Sequence, residues 1–183
     1  SLNRLAGVNF QRGSGQEYLP AIRSPVFTGP GGWGGLLVKE DGISLRAAGF
    51  CNLNELFEAH TEVASQIEVL KGAGTSIHGS NALHGVINVI TPDRASMNTA
   101  TLERMKSGSN RLKFTVNSGG ESPVVLAGTF VGYKGHRTDS GYDQQKVSVR
   151  HYYEQPKYSV ETGTTLSNLN QETAGYILSL IHI

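Results

Sequence analysis

Four glycines, Gly72, Gly74, Gly79 and Gly85, punctuate the segment IEVLKGAGTSIHGSNALHGVINVITP (Ile67–Pro92), between two runs rich in β-branched residues. Glycines that follow a strand can cradle a phosphate, because bare backbone N–H groups then approach the anion. That chemistry fails here for want of partners. A phosphate loop needs lysine and Ser/Thr directly after its second glycine, and Ser80-Asn81 follows Gly79 instead. A dinucleotide fingerprint needs a third glycine where Ile77 stands. His78 and His84 lie in or beside the loop but have no further ligands at metal spacing, so they read as solvated or structural. Asp139 and Asp143 sit in a polar stretch that reads as solvated loop rather than a cation site. Cys51, the single cysteine, has no base nearby to activate it and no internal disulfide partner. Trp33, among the glycines of GPGGWGG, reads as a core residue before a ligand-stacking one. No catalysis, cofactor or metal is expected.

The elements that carry these residues fall into two halves. The chain has 183 residues and a formal net charge of +1, so no global field points to nucleic acid. Its 23 glycines favour a turn-rich β protein. No run approaches the ~18 apolar residues of a membrane helix. Up to Arg94, GLLVKEDG (Gly35–Gly42) predicts a strand closed by an Asp-Gly turn. NELFEAHTEVAS (Asn54–Ser65) has Leu56, Phe57, Ala59 and Val63 near helical spacing, with Asn54 as N-cap. IEVL (Ile67–Leu70) and GVINVIT (Gly85–Thr91) predict strands, the second ended by Pro92.

After Arg94 the pattern turns to alternation. Leu112, Phe114 and Val116 alternate with Lys113, Thr115 and Asn117; Val147, Val149, His151 and Tyr153 alternate with Lys146, Ser148, Arg150 and Tyr152. Val160, Thr162, Thr164 and Leu166 are set against Ser159, Glu161, Gly163 and Thr165. VVLAGTFVGY (Val124–Tyr133) is more apolar, and TATLERMK (Thr99–Lys106) is the weakest strand. Each segment runs about eight to ten residues, near the ~9–11 a tilted membrane strand needs. Alternation gives each strand an apolar and a polar face but does not say what the apolar face touches. A soluble sandwich would bury it against a second sheet, and a membrane barrel would turn it to lipid. The short gaps Ser107–Asn110, Gly119–Pro123 and Glu154–Pro156, with one long gap Lys134–Gln145, predict an antiparallel meander.

The glycine segment resembles a signature of TonB-dependent outer-membrane receptors, in the form Ile67-Glu-Val-Leu-Lys-Gly72, Gly79-Ser80-Asn81-Ala82 and Gly85-Val-Ile-Asn-Val-Ile-Thr91. AIRS (Ala21–Ser24), EDGISLR (Glu40–Arg46) and LAGVNFQR (Leu5–Arg12) resemble further elements of the same plug domain. SGYDQQKVSVRH (Ser140–His151) and NLNQETAGY (Asn168–Tyr176) resemble early barrel strands. Ser24 replaces a family glycine and Lys71 a family arginine; a second cysteine that some relatives carry near Trp33 is absent.

The resemblance implies an α+β plug domain (a small mixed sheet with short helices) over residues 1–94, followed by antiparallel transmembrane β-barrel strands over 95–177. The whole barrel of such receptors has about 22 strands. Residues 178–183, LSLIHI, match one frame of a sequencing adapter and read as a non-native scar. By the same resemblance the protein binds and imports a scarce ligand, of the ferric siderophore, haem or cobalamin class, across the outer membrane of a Gram-negative bacterium. Its partners would be TonB, through an N-terminal box absent from this chain, a siderophore-like or cobalamin-like ligand, and outer-membrane lipid, with no nucleic acid. A soluble β-rich carbohydrate- or partner-binding module is the alternative.

Roles carried over by resemblance follow. Gly72, Gly74, Gly79 and Gly85 shape plug loops. Arg12, Gln16, Tyr18, Arg46, Phe50 and Asn52, in two outward plug loops, are ligand-contact candidates. Arg23 and Lys71 are expected to meet acids of the wall, with Glu103 and Glu161 as candidate partners by their position in the strands alone. Leu112, Phe114, Val116, Val147, Val149 and Val160 would face lipid, whereas Lys113 and Ser148 would face the lumen and tolerate charge.

Overall fold

The computed structural model describes residues 2–12, 16, 18–24, 35–45, 55–106, 108–135 and 139–172. The described strands form three sheets. A 3-10 turn (Leu2–Arg4) leads into a two-stranded antiparallel ribbon, β1 (Val8–Arg12) and β2 (Tyr18–Ile22). A four-stranded mixed sheet has the order β4-β3-β6-β5, from β3 (Leu36–Glu40), β4 (Ile43–Ser44), β5 (Gln66–Lys71) and β6 (Gly85–Ile90). β3 runs parallel to β6, and β5 runs antiparallel to it. Asp41 and Gly42 both take positive φ (51° and 83°), the pair a tight primed hairpin turn requires between β3 and β4.

The central pair β3 and β6 is apolar on both faces. Leu36, Ile87 and Val89 join Val8, Phe10, Ile22 and Ala59 in one core, and Leu37 and Val86 join Ala82 in a second. Gly85 lies at the crossing: a Cβ there would meet the Leu70 carbonyl at 2.7 Å and Ile22 Cδ1 at 2.8 Å. The glycine loop between β5 and β6 holds one helical turn, α2 (Thr75–His78), closed by Gly79 at φ 84°. Gly72 is also at positive φ, and Gly74 lies close under Leu70 and Val86. These four glycines serve backbone shape and packing. His84 packs against Gly35, and its N–H donates to the Gly35 carbonyl at 2.7 Å.

The helix expected over Asn54–Ser65 is a single turn, α1 (Glu55–Glu58). Beyond it the chain turns sharply, with the Thr61 N–H on the Ala59 carbonyl at 2.8 Å. Helical hydrogen bonds lose here to tertiary ones, because the polar groups of Ala59 and His60 are claimed by other strands.

From Thr99 to Gln171 the described strands form an antiparallel meander in sequence order: β7 (Thr99–Arg104), β8 (Ser109–Asn117), β9 (Val124–Tyr133), β10 (Tyr142–Gln155) and β11 (Tyr158–Gln171). β10 and β11 are 14 residues each, longer than the alternation suggests. Their polar ends keep pairing, from Tyr142↔Gln171 to Gln155↔Tyr158, across a turn of only Pro156 and Lys157. The gap before β10 shortens accordingly.

Register assigns the two faces. One carries Leu112, Phe114 and Val116 of β8, Phe130 of β9, Val147 and Val149 of β10, and Val160 and Leu166 of β11. Leu102, Leu112, Val116, Phe130, Val149, Val160 and Leu166 on it are 40–78% exposed. Phe114 lies over Gly128, so that a side chain at 128 would run into its ring, and Phe130 stacks beside it with centroids 6.4 Å apart. Gly128→Val is expected to cost about 1–3 kcal/mol through this overlap. Adding Phe114→Ala should recover most of the loss in urea unfolding of the detergent-held protein; no recovery would mean that another contact sets the cost.

Candidate functional site: a polar seam behind the meander

The opposite face of the meander meets the N-terminal sheets, and between the small apolar residues Val125, Ala127 and Val131 it buries polar ones. Thr129, Gln144, Lys146 and Ser148 are all at most 3% exposed, inverting the usual arrangement in which a sheet buries its apolar side. Buried polar groups must find partners, and for Thr129, Lys146 and Ser148 they come from the other half of the chain.

His60 is the centre. Its ring is fully buried, with Nδ1 at 2.6 Å from Ser148 Oγ and Nε2 at 2.9 Å from Thr129 Oγ1. The His60 N–H donates to Glu40 Oε2 at 2.8 Å, and Thr165 Oγ1 donates to Glu40 Oε1 at 2.5 Å. Ser148 Oγ and Thr165 Oγ1 are 3.0 Å apart, which closes a ring through β3, the Ala59–Thr61 turn, β10 and β11. Glu40 sits on the strand face that also carries Leu36 and Val38, so the hydrophobic core aims its carboxylate at the meander. Burial, reinforced by the Lys146 ammonium and opposed by Glu62, pulls the His60 pKa from 6.5 to about 4. The imidazole is therefore neutral at neutral pH. A buried Ser–His contact also invites comparison with nucleophilic catalysis. Ser148 and His60 are sealed from solvent, so no substrate reaches them as placed.

Beside the ring, Lys146 Nζ is enclosed. It donates to the Ala59 carbonyl at 2.7 Å and to Glu62 Oε2 at 3.1 Å. A third anchor sits at the rim, where Arg150 donates to Asp41, Thr91 and Glu161. This anchor borders an open cleft of about 860 Å³ lined also by Asn88 and Tyr152. The Lys146 side chain is fully enclosed, whereas the Arg150 side chain is 14% exposed at the mouth of the cleft.

The residues expected from sequence distribute unevenly. Arg23 and Lys71 do not pair with Glu103 or Glu161. Glu103 is held by Lys113 (2.9 Å) and Arg111 (3.2 Å) of the neighbouring strand, and Glu161 by Arg150. Lys71 Nζ donates to the Ala6 carbonyl at 3.3 Å, and the Arg23 side chain packs over Gly7. Cross-strand register puts those acids next to nearer bases, and that proximity decides the pairing. Ser148, expected to tolerate charge, is instead committed to His60.

Gln16 is 8% exposed and its backbone N–H donates to Gln171 Oε1 at 2.8 Å, so this residue packs at the end of β11 rather than standing open to a ligand. Tyr18 is half-buried on β2, and Arg12 ends β1. The Arg12 side chain, Arg46, Phe50, Asn52, Cys51, Trp33, Asn54 and residues 178–183 lie outside the described part. Among the described residues, no group of three or more His, Cys, Asp or Glu is placed to hold a metal ion.

None of His60, Glu40, Glu62, Asp41 and Thr91 is singled out by the sequence as a site residue. His60 carried a faint signal, as a histidine on the apolar side of a short amphipathic run.

No family model matches the chain. Among solved structures, the fold is similar to "Copper transporter OprC" with a TM-score of 0.72 at 15% identity, covering 93% of this chain and 27% of that one. It is also similar to the pyoverdine outer membrane receptor FpvA from Pseudomonas aeruginosa PAO1 bound to pyoverdine, with a TM-score of 0.60 at 15% identity, covering 87% and 23%. The chain thus spans about a quarter of the length of each. Over the part it spans, it shares the fold of these two proteins.

Proposed function

We propose that the chain is part of a TonB-dependent outer-membrane receptor, with residues 1–94 as the plug and 95–177 as the first barrel strands. The observation that carries this reading is the inverted meander. Large apolar side chains stand exposed on its outer face, while Lys146, Ser148 and Thr129 are buried behind it against His60, Glu40 and Glu62. A soluble sandwich would expose the charged face; a barrel wall around a polar plug requires this one. Tyr153 and Tyr158, with ring centroids 6.3 Å apart, sit at the short-turn end of the apolar face, where an aromatic girdle would meet the membrane interface.

On this reading the receptor imports a scarce ligand under TonB energy. The ligand belongs to the siderophore, haem or cobalamin class, or is a copper species as the first neighbour's name suggests. Arg12, Tyr18, Arg46, Phe50 and Asn52 remain the contact candidates from the two plug loops. The test is uptake of labelled ferric siderophores, haem, cobalamin and copper by cells carrying the full-length receptor, with and without TonB. Accumulation of one class that requires both the receptor and TonB is expected. Recovery of the full-length protein as a soluble, detergent-free monomer would overturn the reading.

A further inference from the structure

We propose that His60 is a protonation-sensitive latch between the N-terminal unit and the meander: neutral with its proton on Nδ1, it closes a one-way hydrogen-bond chain, and a second proton on Nε2 opens it. The setting, a unit held inside a wall, rests on the receptor reading above; the direction of the chain rests on counting protons.

Each hydroxyl has one proton to give, and a carboxylate oxygen can only accept. Thr165 therefore commits its proton to Glu40 Oε1. Ser148, 3.0 Å from Thr165 Oγ1, must donate to that oxygen. With its proton so placed, Ser148 can only accept from His60, across 2.6 Å, which puts the imidazole proton on Nδ1. Nε2 is left as a lone pair, and Thr129 donates to it across 2.9 Å. The order Thr129, His60, Ser148, Thr165, Glu40 then carries every hydrogen bond in one sense, and one histidine tautomer satisfies it.

A proton added to Nε2 would confront the Thr129 hydroxyl hydrogen, which must rotate away so that Thr129 accepts instead of donating, and the one-way order of the chain is broken. It would also place an imidazolium in a fully buried site. The charged groups facing that site are Lys146 from β10, Glu40 from β3, and Glu58 and Glu62 from the segment of His60 itself. β9 has no charged residue, and Glu161 of β11 is engaged by Arg150. Glu62 is already held by Lys146, and both Glu40 oxygens accept from donors other than the ring. The ring itself contacts hydroxyls, which cannot neutralise a charge. Burial holds the ring neutral down to about pH 4, so the latch stays closed near neutrality and opens in acid.

The test uses full-length protein in detergent, labelled with 15N-histidine, with the His60 signal identified by its loss in His60→Asn or His60→Gln. The Nδ1–H tautomer is expected at neutral pH, with titration near pH 4. Amide exchange at Ala59–Glu62, corrected for intrinsic rate, should rise about tenfold or more between about pH 6 and pH 3.5. In His60→Asn, whose amide can still donate to Ser148 but cannot titrate, the rise should stay below about twofold. An Nε2–H tautomer, an ordinary titration midpoint near 6.5, or an equal acid response in His60→Asn would overturn the latch. If neither variant folds, conventional assignment of the wild-type signal still decides through tautomer and midpoint. A heat-dependent gel shift of the same protein judges the barrel separately, so failure of the latch and failure of the receptor reading remain distinct.

Discussion

Glu62→Ala is expected to destabilise the attachment of the N-terminal unit by about 3–5 kcal/mol, the usual cost of stripping one partner from a buried charge pair. Lys146 is 1% exposed, and without Glu62 its ammonium would keep only the Ala59 carbonyl among the contacts described. The loss comes from the stranded cation rather than from the pair's own worth. Lys146→Met in the Glu62→Ala background should therefore recover most of it, since an apolar side chain of similar length fills the same space. Urea unfolding in detergent measures both; a single-variant cost below about 1 kcal/mol would show that water reaches Lys146.

Val149→Arg should cost about 2–4 kcal/mol in a bilayer if its face meets lipid at the midplane. Val149 points outward beside Leu126 and is 40% exposed, so the substitution meets no internal obstacle in the chain itself. The penalty is thus specific to the membrane: folding yield should fall in lipid vesicles and hold in a polar detergent. Ser148→Arg should fail in both, because it displaces the hydroxyl that joins His60 to Thr165. Thr101→Glu, opposite Lys113 on the inner face and exposed, should be tolerated in both. Tolerance of Val149→Arg in vesicles would mean that the outer face does not contact lipid.

The meander was the most legible part of the sequence, because a period of two survives whatever the strand packs against. Leu112, Phe114 and Val116 declare one face without reference to any partner. Strand length was less legible: Gln144, Gln145, Asn168 and Asn170 break the apolar pattern but still pair, since backbone hydrogen bonds do not depend on side-chain polarity. The glycine loop was readable because Gly72 and Gly79 need a backbone that other residues avoid. The seam was not readable. Thr129, Ser148, His60 and Glu40 are each unremarkable alone, and only three-dimensional proximity makes them a circuit. The charge pairs failed for the related reason that sequence does not reveal which base lies across from Glu103.

The distances along the chain between bonded groups set an order of assembly. Each meander strand pairs with its immediate successor, so every hairpin closes a short loop. The seam joins residues 69 (His60–Thr129), 87 (Lys146–Ala59), 88 (His60–Ser148) and 125 (Glu40–Thr165) positions apart. Loop-closure entropy delays such contacts until the hairpins have shortened the intervening chain. The N-terminal unit is therefore expected to dock onto a wall that already exists. In pulse-labelled exchange, amides of β8–β10 should gain protection before those of Ala59–Glu62, and the last contact made is also the first one that a pull on the N-terminal unit would test.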